Sequence, residues 1–343
     1  MKKLYLSIWG WVLLGCFCVG GLEGAFTIQN GRLVDADEAA TFTAEEHFDM
    51  GMTAMECSDW RESAKQFRIV SINFPTMSVG QDANYYLGVA CFQCEELDFA
   101  NDALSKYLKC HNNPQYFEEA IAYKFAIANL FKNGAKRHFF GTKQLPKWAS
   151  GRSLAMEIYD EVIAAVPCHE LAAWSLFSKG EMLREDRAFR ESVEIYQQLI
   201  KRFPKHELAP ESYLAISKIY IEQSQCELQN PDLLAFSQIN LRRFKQEFPR
   251  EERLCQAEED VLTLKEIYAR SLYETGLLYE RKNYPRASVI YYQNAIAQFP
   301  DTFIAQLCQR RLLALDACLP RPQHAEETTA MSSVEHSDDS SSS

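Results

Sequence analysis

Apolar residues recur at helical spacing along most of this chain, and several of the helical segments end in the same way. An aromatic residue followed by proline closes the segment, and proline ends a helix because it lacks a backbone donor. No alternation typical of strands competes with this pattern, so it predicts a series of helices joined by tight turns. The clearest endings are Phe74–Pro75, Phe203–Pro204, Phe248–Pro249 and Phe299–Pro300, with weaker copies at Val166–Pro167 and Asn113–Pro114.

Three of these endings carry the same residue types at fixed distances before the proline. Glycine stands 24 positions before it, serine 12 before it, and an aromatic residue eight before it. Glycine has no Cβ, so a second helix can approach closely there, with serine at the contact and the aromatic ring filling space between neighbouring helix pairs. The three copies are Gly51, Ser63, Phe67 and Pro75; Gly180, Ser192, Tyr196 and Pro204; and Gly276, Ser288, Tyr292 and Pro300.

The columns resemble the tetratricopeptide repeat, a helix–turn–helix unit of about 34 residues. They predict an all-α fold, a right-handed solenoid of about six helical hairpins with a capping helix near residues 304–318. The first helices of such hairpins line a concave surface that can hold an extended peptide or a partner helix. The aromatic residues on those helices are predicted to be mainly packing residues. They are Tyr85, Tyr86, Tyr123, Phe125, Tyr213 and Tyr273.

The predicted organisation has four parts. Residues 1–15 form an export signal, residues 16–43 a linker, residues 44–319 the solenoid, and residues 320–343 a disordered acidic, serine-rich tail. An insertion at about 133–150 interrupts the third hairpin. Its His138–Phe139–Phe140–Gly141 stretch and Trp148 are apolar or aromatic residues in a polar loop, which indicates either docking onto the solenoid or contact with a partner. Docking is the favoured interpretation.

The N-terminus predicts export. Lys2 and Lys3 precede a short apolar run at residues 4–14, which is too short to span a bilayer comfortably. The sequence Leu13–Leu14–Gly15–Cys16 then resembles a bacterial lipobox. That resemblance implies cleavage before Cys16 and attachment of a diacylglycerol anchor to it. The alternative is an ordinary signal peptide cleaved near residues 21–25.

Composition and charge exclude several function classes. The chain has 36 basic and 47 acidic residues, a net charge of −11, and no stripe of Lys and Arg, so no nucleic-acid partner is predicted. No HExxH, GxSxG or GxxxxGK[ST] motif occurs, so we predict no catalytic residue, no cofactor, no metal and no enzymatic activity. Carboxylate runs such as Glu95–Glu96, Glu118–Glu119 and Glu258–Asp260 are interpreted as solvated helix faces.

Eleven cysteines are numerous for an exported protein. Cys16 and Cys18 lie in or beside the signal, and the remaining nine cannot all pair with one another. Most are predicted to be small buried residues on helices. Cys91 and Cys94 form the one CxxC motif; it lies inside a helical pattern rather than at a helix start, which favours a structural role.

A lipobox, a short linker and hairpins ending in aromatic–proline are similar to the BamD/ComL family of outer-membrane assembly lipoproteins. The similarity covers roughly residues 13–320. The stretches that carry it are Asp59–Trp60–Arg61–Glu62–Ser63–Ala64 through Phe74–Pro75, Phe139–Phe140–Gly141 ahead of Arg152, and Tyr268 to Thr302. The chain departs from that family in having about one hairpin more, Phe74 where tyrosine is usual, and the acidic tail.

The resemblance implies a lipoprotein on the periplasmic face of the outer membrane, anchored through Cys16. Its implied partners are a β-barrel assembly component and unfolded segments of outer-membrane proteins. Two other classes stay open. One is another envelope repeat protein, such as a cell-division coordinator or a secretion pilotin. The other is a solenoid enzyme acting on cell-wall sugar, which would need a deep carboxylate-lined cleft.

Overall fold

The protein is an all-α repeat fold, as the sequence predicts. The structure, a computed structural model, describes residues 26–29, 32–35, 38–110, 114–138, 147–227 and 230–318. The predicted signal, Cys16, the Phe139–Gly141 stretch and the tail lie outside the described residues. The helices are α1 (Ala44–Glu56), α2 (Trp60–Asn73), α3 (Ser78–Gln93), α4 (Leu97–Cys110), α5 (Phe117–Lys132), α6 (Arg152–Ala165), α7 (Glu170–Glu185), α8 (Phe189–Arg202), α9 (Leu208–Cys226), α10 (Asp232–Glu247), α11 (Leu254–Arg281), α12 (Pro285–Gln298) and α13 (Phe303–Cys318).

Four short strands accompany these helices, although the sequence predicts none. Strands β1 (Phe26–Gln29) and β2 (Arg32–Asp35) pair antiparallel, and so do β3 (Lys136–His138) and β4 (Lys147–Ser150). Strands of three or four residues are too short for alternation to be recognised. The Asn30–Gly31 dipeptide between β1 and β2 is nevertheless the pair that two-residue hairpins favour, so this signal was available in the sequence.

Local backbone sterics explain where the helices end. A residue before proline is disfavoured in the α region, so the aromatic residue of each Phe–Pro pair becomes the C-cap. Phe74, Phe203, Phe248 and Phe299 have φ angles of −126°, −126°, −129° and −132°, and each donates its backbone N–H to the carbonyl four residues earlier. Pro75, Pro204 and Pro300 are exposed just beyond these caps.

The glycine columns make room for a ring rather than for a helix backbone. A Cβ on Gly51 would lie 2.9 Å from Cε1 of Phe67, and one on Gly276 would lie 2.5 Å from Cε1 of Tyr292. Both rings are fully buried. Phe67 also stacks on Tyr86 of the next helix pair, with centroids 5.4 Å apart, so the same ring links neighbouring pairs.

The chain divides into two compact units, Met1–Met182 and Leu183–Ser343. In the first unit α1 pairs with α2, α3 with α4 and α5 with α6, and the first helices of successive pairs contact one another. In the second unit α9 pairs with α10, α11 with α12 and α12 with α13, and α9, α11 and α13 are again in contact along the series. Stacking of first helices therefore recurs within each unit.

Most of the described cysteines are exposed, which contradicts the expectation that they are buried. Only Cys91 and Cys308 are buried, and Cys94 is half-buried. The others lie at helix ends or in turns, where the ends of the helix pairs face solvent, so a cysteine there covers no core. The exposed cysteines are Cys57, Cys110, Cys168, Cys226 and Cys255.

Among the described residues, none of the helices combines the length and the apolar character needed to cross a membrane.

We predict that Gly276→Ala destabilises the protein by about 1–3 kcal/mol, because the new methyl group overlaps the buried Tyr292 ring. Urea denaturation followed by circular dichroism measures the change. Glu274→Ala, an exposed position on the same helix, is the matched control and should change the unfolding free energy by less than about 0.5 kcal/mol.

A double variant tests the assigned cause. If the overlap is responsible, Gly276→Ala combined with Tyr292→Leu should be more stable than the sum of the two single effects predicts. Additive effects would mean that the two side chains do not compete for one space.

Candidate functional site

An open groove with a volume of about 1090 Å³ lies in the second unit. Helix α9 forms its floor, and helices α8 and α10 form its two walls. We call it the α8–α10 groove. Its lining residues are Gln197, Ile200, Lys201, Pro204, Tyr213, Ile216, Tyr220, Phe236, Ile239, Asn240, Arg243, Gln246, Glu247 and Phe248.

The floor of the α8–α10 groove is apolar and aromatic. Tyr213, Ile216 and Tyr220 are buried and stand on one side of α9. The Tyr213 ring stacks on Phe244 of α10 with centroids 5.0 Å apart and an interplanar angle of 5°. Burial raises the pKa of the Tyr213 hydroxyl, and the nearby Glu247 carboxylate raises it further. Tyr213 is therefore neutral at physiological pH and serves as a hydrogen-bonding apolar surface.

The rim combines apolar and cationic side chains. On α10, Phe236 is 49% exposed and Ile239 is 45% exposed, three positions apart on the wall of the groove. Lys201 and Arg243 stand on the α8 and α10 walls, and neither forms an ion pair or a side-chain hydrogen bond with any described residue. The groove thus presents apolar anchor sites together with two cations that form no ion pair with any described carboxylate.

A buried amide holds the α10 wall against the floor. Asn240 Nδ2 donates to the Tyr213 carbonyl at 2.9 Å and to Ser217 Oγ at 3.1 Å. In this fifth hairpin the position 24 before Pro249 is Gln225 rather than glycine, and the position eight before it is Leu241 rather than an aromatic residue. In this hairpin the hydrogen bonds of Asn240 and the stacked rings of Tyr213 and Phe244 hold α10 on α9.

The repeat-packing residues do not line this groove, apart from Pro204. Ser63, Ser192 and Ser288 are fully buried, as are the rings of Phe67, Tyr196 and Tyr292. Gly51 and Gly276 contact rings of their own helix pairs, and Gly180 is buried on α7 in the first unit. They pack inside the helix pairs of their own unit rather than at the groove surface.

The aromatic residues predicted on first helices contribute less to the candidate site than the residues of second helices do. Tyr85 and Tyr213 are buried, and Tyr86, Tyr123, Phe125 and Tyr273 are half-buried. The repeat pattern predicts a binding surface on first helices, whereas two walls of the groove come from second helices. The sequence patterns did not single out Phe236 and Ile239 as groove residues. The signal that could have found them is the presence of two apolar residues on α10 outside the packing columns.

Two residues of the insertion differ in burial. His138 is buried at 5% exposure and docks onto the start of α4, as the docking interpretation expects. Trp148 is 76% exposed, so the docking prediction is wrong for this residue. The strand that carries Trp148 pairs with β3 through backbone bonds alone, which leaves its side chain in solvent.

One group of side chains in the described part of the chain has the composition of a metal site. Glu96, Asp98 and His138 each offer a ligand atom, and these atoms lie within 4.8 Å of one another. Glu96 is therefore not simply part of a solvated face, contrary to the sequence interpretation. Asp260 also departs from that interpretation, because its Oδ2 is buried without a hydrogen-bond partner and burial raises its pKa.

The class of protein is thus a helical-repeat protein with an open groove, and comparison with known sequences identifies one repeat. Residues 174–206, which contain Gly180, Ser192, Tyr196 and Pro204, match the sequence model of the tetratricopeptide repeat. Comparison with curated proteins gives no match. The chain therefore contains a tetratricopeptide repeat within an all-α repeat fold.

Solved repeat structures resemble the chain only distantly. MamA (41-end) from Desulfovibrio magneticus RS-1 is 13% identical, with a TM-score of 0.33, covering 63% of this chain and 95% of that one. YrrB, described as a TPR protein with an unusual peptide-binding site, is 10% identical, with a TM-score of 0.34 and coverages of 63% and 92%. RapI is 11% identical, with a TM-score of 0.36 and coverages of 79% and 76%. Likenesses at these scores assign no function.

We predict that Asn240→Leu destabilises the second unit by about 1–3 kcal/mol, because it leaves Ser217 without this partner and frees the α10 wall. Urea denaturation measures the loss. Gln246→Leu, an exposed change on the same wall, is the control and should cost less than about 0.5 kcal/mol. Equal effects of the two variants would contradict the assigned role of Asn240.

Proposed function

We propose that this protein is a binding scaffold for other proteins and that the α8–α10 groove holds an acidic, amphipathic segment of a partner chain. The observation that carries the proposal is the combination, in one open groove, of an aromatic floor, two exposed apolar side chains and two unpaired cations. Open grooves of this kind accept chain segments, with apolar pockets supplying affinity and polar groups fixing the register.

Apolar burial supplies the affinity. Phe236 and Ile239 expose nearly half of their surface beside the buried ring of Tyr220, whose centroid is 6.3 Å from that of Phe236. A partner side chain placed between them removes apolar area from water on both chains, which stabilises the complex by about 25 cal/mol per Å² before ordering costs.

Charge selects the partner. The chain as a whole carries −11, yet the groove presents the cations of Lys201 and Arg243. Its one lining carboxylate, Glu247, already interacts with the Tyr213 hydroxyl. A carboxylate on the partner would pair with the free guanidinium, whereas a basic segment would meet like charge at two points.

We place this scaffold in the cell envelope on the strength of the sequence resemblance to BamD/ComL. In this proposal Cys16 carries the lipid, the repeats face the periplasm, and the chain is a subunit of the outer-membrane β-barrel assembly machinery. Its partners would be another assembly component and unfolded segments of outer-membrane proteins. A different envelope scaffold would share the anchor and the fold, so the identity of the partner separates the two.

The groove does not favour a cell-wall hydrolase. Glycoside hydrolysis ordinarily uses two carboxyl groups facing the scissile bond. Among the residues that line the α8–α10 groove, Glu247 is the one carboxylate.

We predict that a labelled peptide alternating leucine or phenylalanine with glutamate binds the protein about tenfold or more tightly than its counterpart with lysine. Fluorescence anisotropy measures both affinities. Arg243→Glu should remove this preference, because it replaces the groove cation by an anion. Phe236→Asp should weaken both peptides by removing an apolar anchor.

Two exposed changes outside the groove serve as controls. Arg190→Glu makes the same charge change on α8, and Leu313→Asp makes a matched apolar-to-acidic change on α13; both positions are exposed. Neither should alter the affinities by more than about twofold. Equal binding of the two peptides, or equal losses in groove and control variants, would contradict the proposal.

We predict that mass spectrometry of the mature protein, expressed in a bacterial host, finds a diacylglycerol-modified Cys16 as the first residue. Gentle detergent extraction of envelope membranes should then co-purify a large outer-membrane β-barrel protein. A mature N-terminus at Phe26 would contradict the lipid anchor. A modified Cys16 without any β-barrel partner would retain the anchor and point to another envelope scaffold.

A further inference from the structure

The insertion between α5 and α6 meets the second helix pair at one polar cluster. His138 is the last residue of β3, and its side chain is 6% exposed. Glu96 immediately precedes α4, and Asp98 lies in the first turn of that helix. The histidine is thus held between two carboxylates that stand 40 or more positions earlier in the chain.

Asp98 fixes the orientation of the imidazole. Its Oδ2 accepts the backbone N–H of His138 at 3.0 Å and lies 2.9 Å from Nδ1 of the same residue. Its Oδ1 accepts the Phe99 N–H at 3.2 Å. Both oxygens of Asp98 thus accept hydrogen bonds. Because a carboxylate can only accept, Nδ1 of His138 must carry the proton that it shares with Asp98.

The other ring nitrogen then faces an acceptor. In this tautomer Nε2 presents a lone pair, and it lies 3.1 Å from Glu96 Oε2. That oxygen is buried and makes no hydrogen bond. Lys147 Nζ forms an ion pair with this oxygen at 3.4 Å, while its hydrogen bond goes to the Glu95 carbonyl. Two lone pairs this close repel each other unless a proton on Nε2 or a metal ion lies between them.

We propose that a divalent transition-metal ion of the zinc class is bound by His138 Nε2 and Glu96 Oε2, with water completing its coordination. Zinc accepts both imidazole nitrogen and carboxylate oxygen at about 2.0–2.2 Å, so two such ligands stand about 3 Å apart. Asp98 bonded to the opposite ring nitrogen is the arrangement that orients metal-binding histidines and strengthens them as ligands.

The metal would cross-link two elements of the fold. It joins the strand that ends at His138 to the helix that begins after Glu96, and it adds to the hydrogen bonds of Asp98 and to the contact between the Phe99 and His138 rings, whose centroids are 5.1 Å apart. Binding to the folded chain stabilises it in proportion to the logarithm of the metal concentration over its dissociation constant. The site is independent of the α8–α10 groove, so the two proposals stand or fail separately.

Cobalt titration of the purified full chain in detergent tests the site. Co²⁺ reports coordination by protein ligands through a change in its visible absorption, and Zn²⁺ should displace it. The exposed cysteines are blocked with iodoacetamide first, because thiolates also bind these ions. Zn²⁺ should raise the thermal midpoint of the wild-type chain, and EDTA should reverse the increase.

Three substitutions at the site are compared with one outside it. Glu96→Gln and His138→Gln should abolish the cobalt spectrum, and Asp98→Asn should weaken binding about 10- to 100-fold. His169→Gln, a change at an exposed histidine, should leave the cobalt spectrum unchanged. Far-UV circular dichroism verifies that each variant keeps its helices.

Two results would overturn the proposal. The first is a cobalt spectrum that His138→Gln retains, which would locate the metal elsewhere. The second is no binding by the folded wild-type chain, which would mean that a proton on Nε2, with Lys147 beside Glu96, satisfies the cluster without a metal.

Discussion

The architecture depends on the packing of an aromatic ring against the backbone of a glycine. A glycine on the first helix leaves a space that a ring 16 positions later fills, as at Gly51 with Phe67 and Gly276 with Tyr292. The ring excludes water from the helix contact, and its outer face meets the next pair, as Phe67 meets Tyr86. One contact therefore sets both the spacing within a pair and the stacking between pairs.

The two candidate sites lie at hairpins that depart from the repeat columns. In the fifth hairpin the stacked rings of Tyr213 and Phe244 and the hydrogen bonds of Asn240 hold α10 on α9, and the α8–α10 groove lies beside them. In the third hairpin an insertion carries His138 to the carboxylates of the second pair. A repeat fold tolerates such insertions and substitutions because each helix pair contacts chiefly its neighbours.

Some of the buried polar groups join separate elements. Lys124, 1% exposed, is an example in the first unit: its ammonium donates to Asn101 and Ser105 and pairs with Glu161, so α5 is tied to both α4 and α6. Burial lowers the pKa of Lys124, and Glu161 opposes that shift by favouring the charged form. Apolar packing supplies most of the cohesion, and these polar links fix which helix faces meet.

The sequence alone determined the all-α fold, the helix ends at aromatic–proline pairs and the columns of small and aromatic residues, because these follow from backbone sterics acting over a few residues. It did not determine that second helices wall the groove, that Trp148 remains exposed, or that Glu96 faces His138. Those features depend on side chains far apart in the chain. They meet only after the helices have packed, and the angle of that packing is set by many weak contacts together rather than by any local pattern.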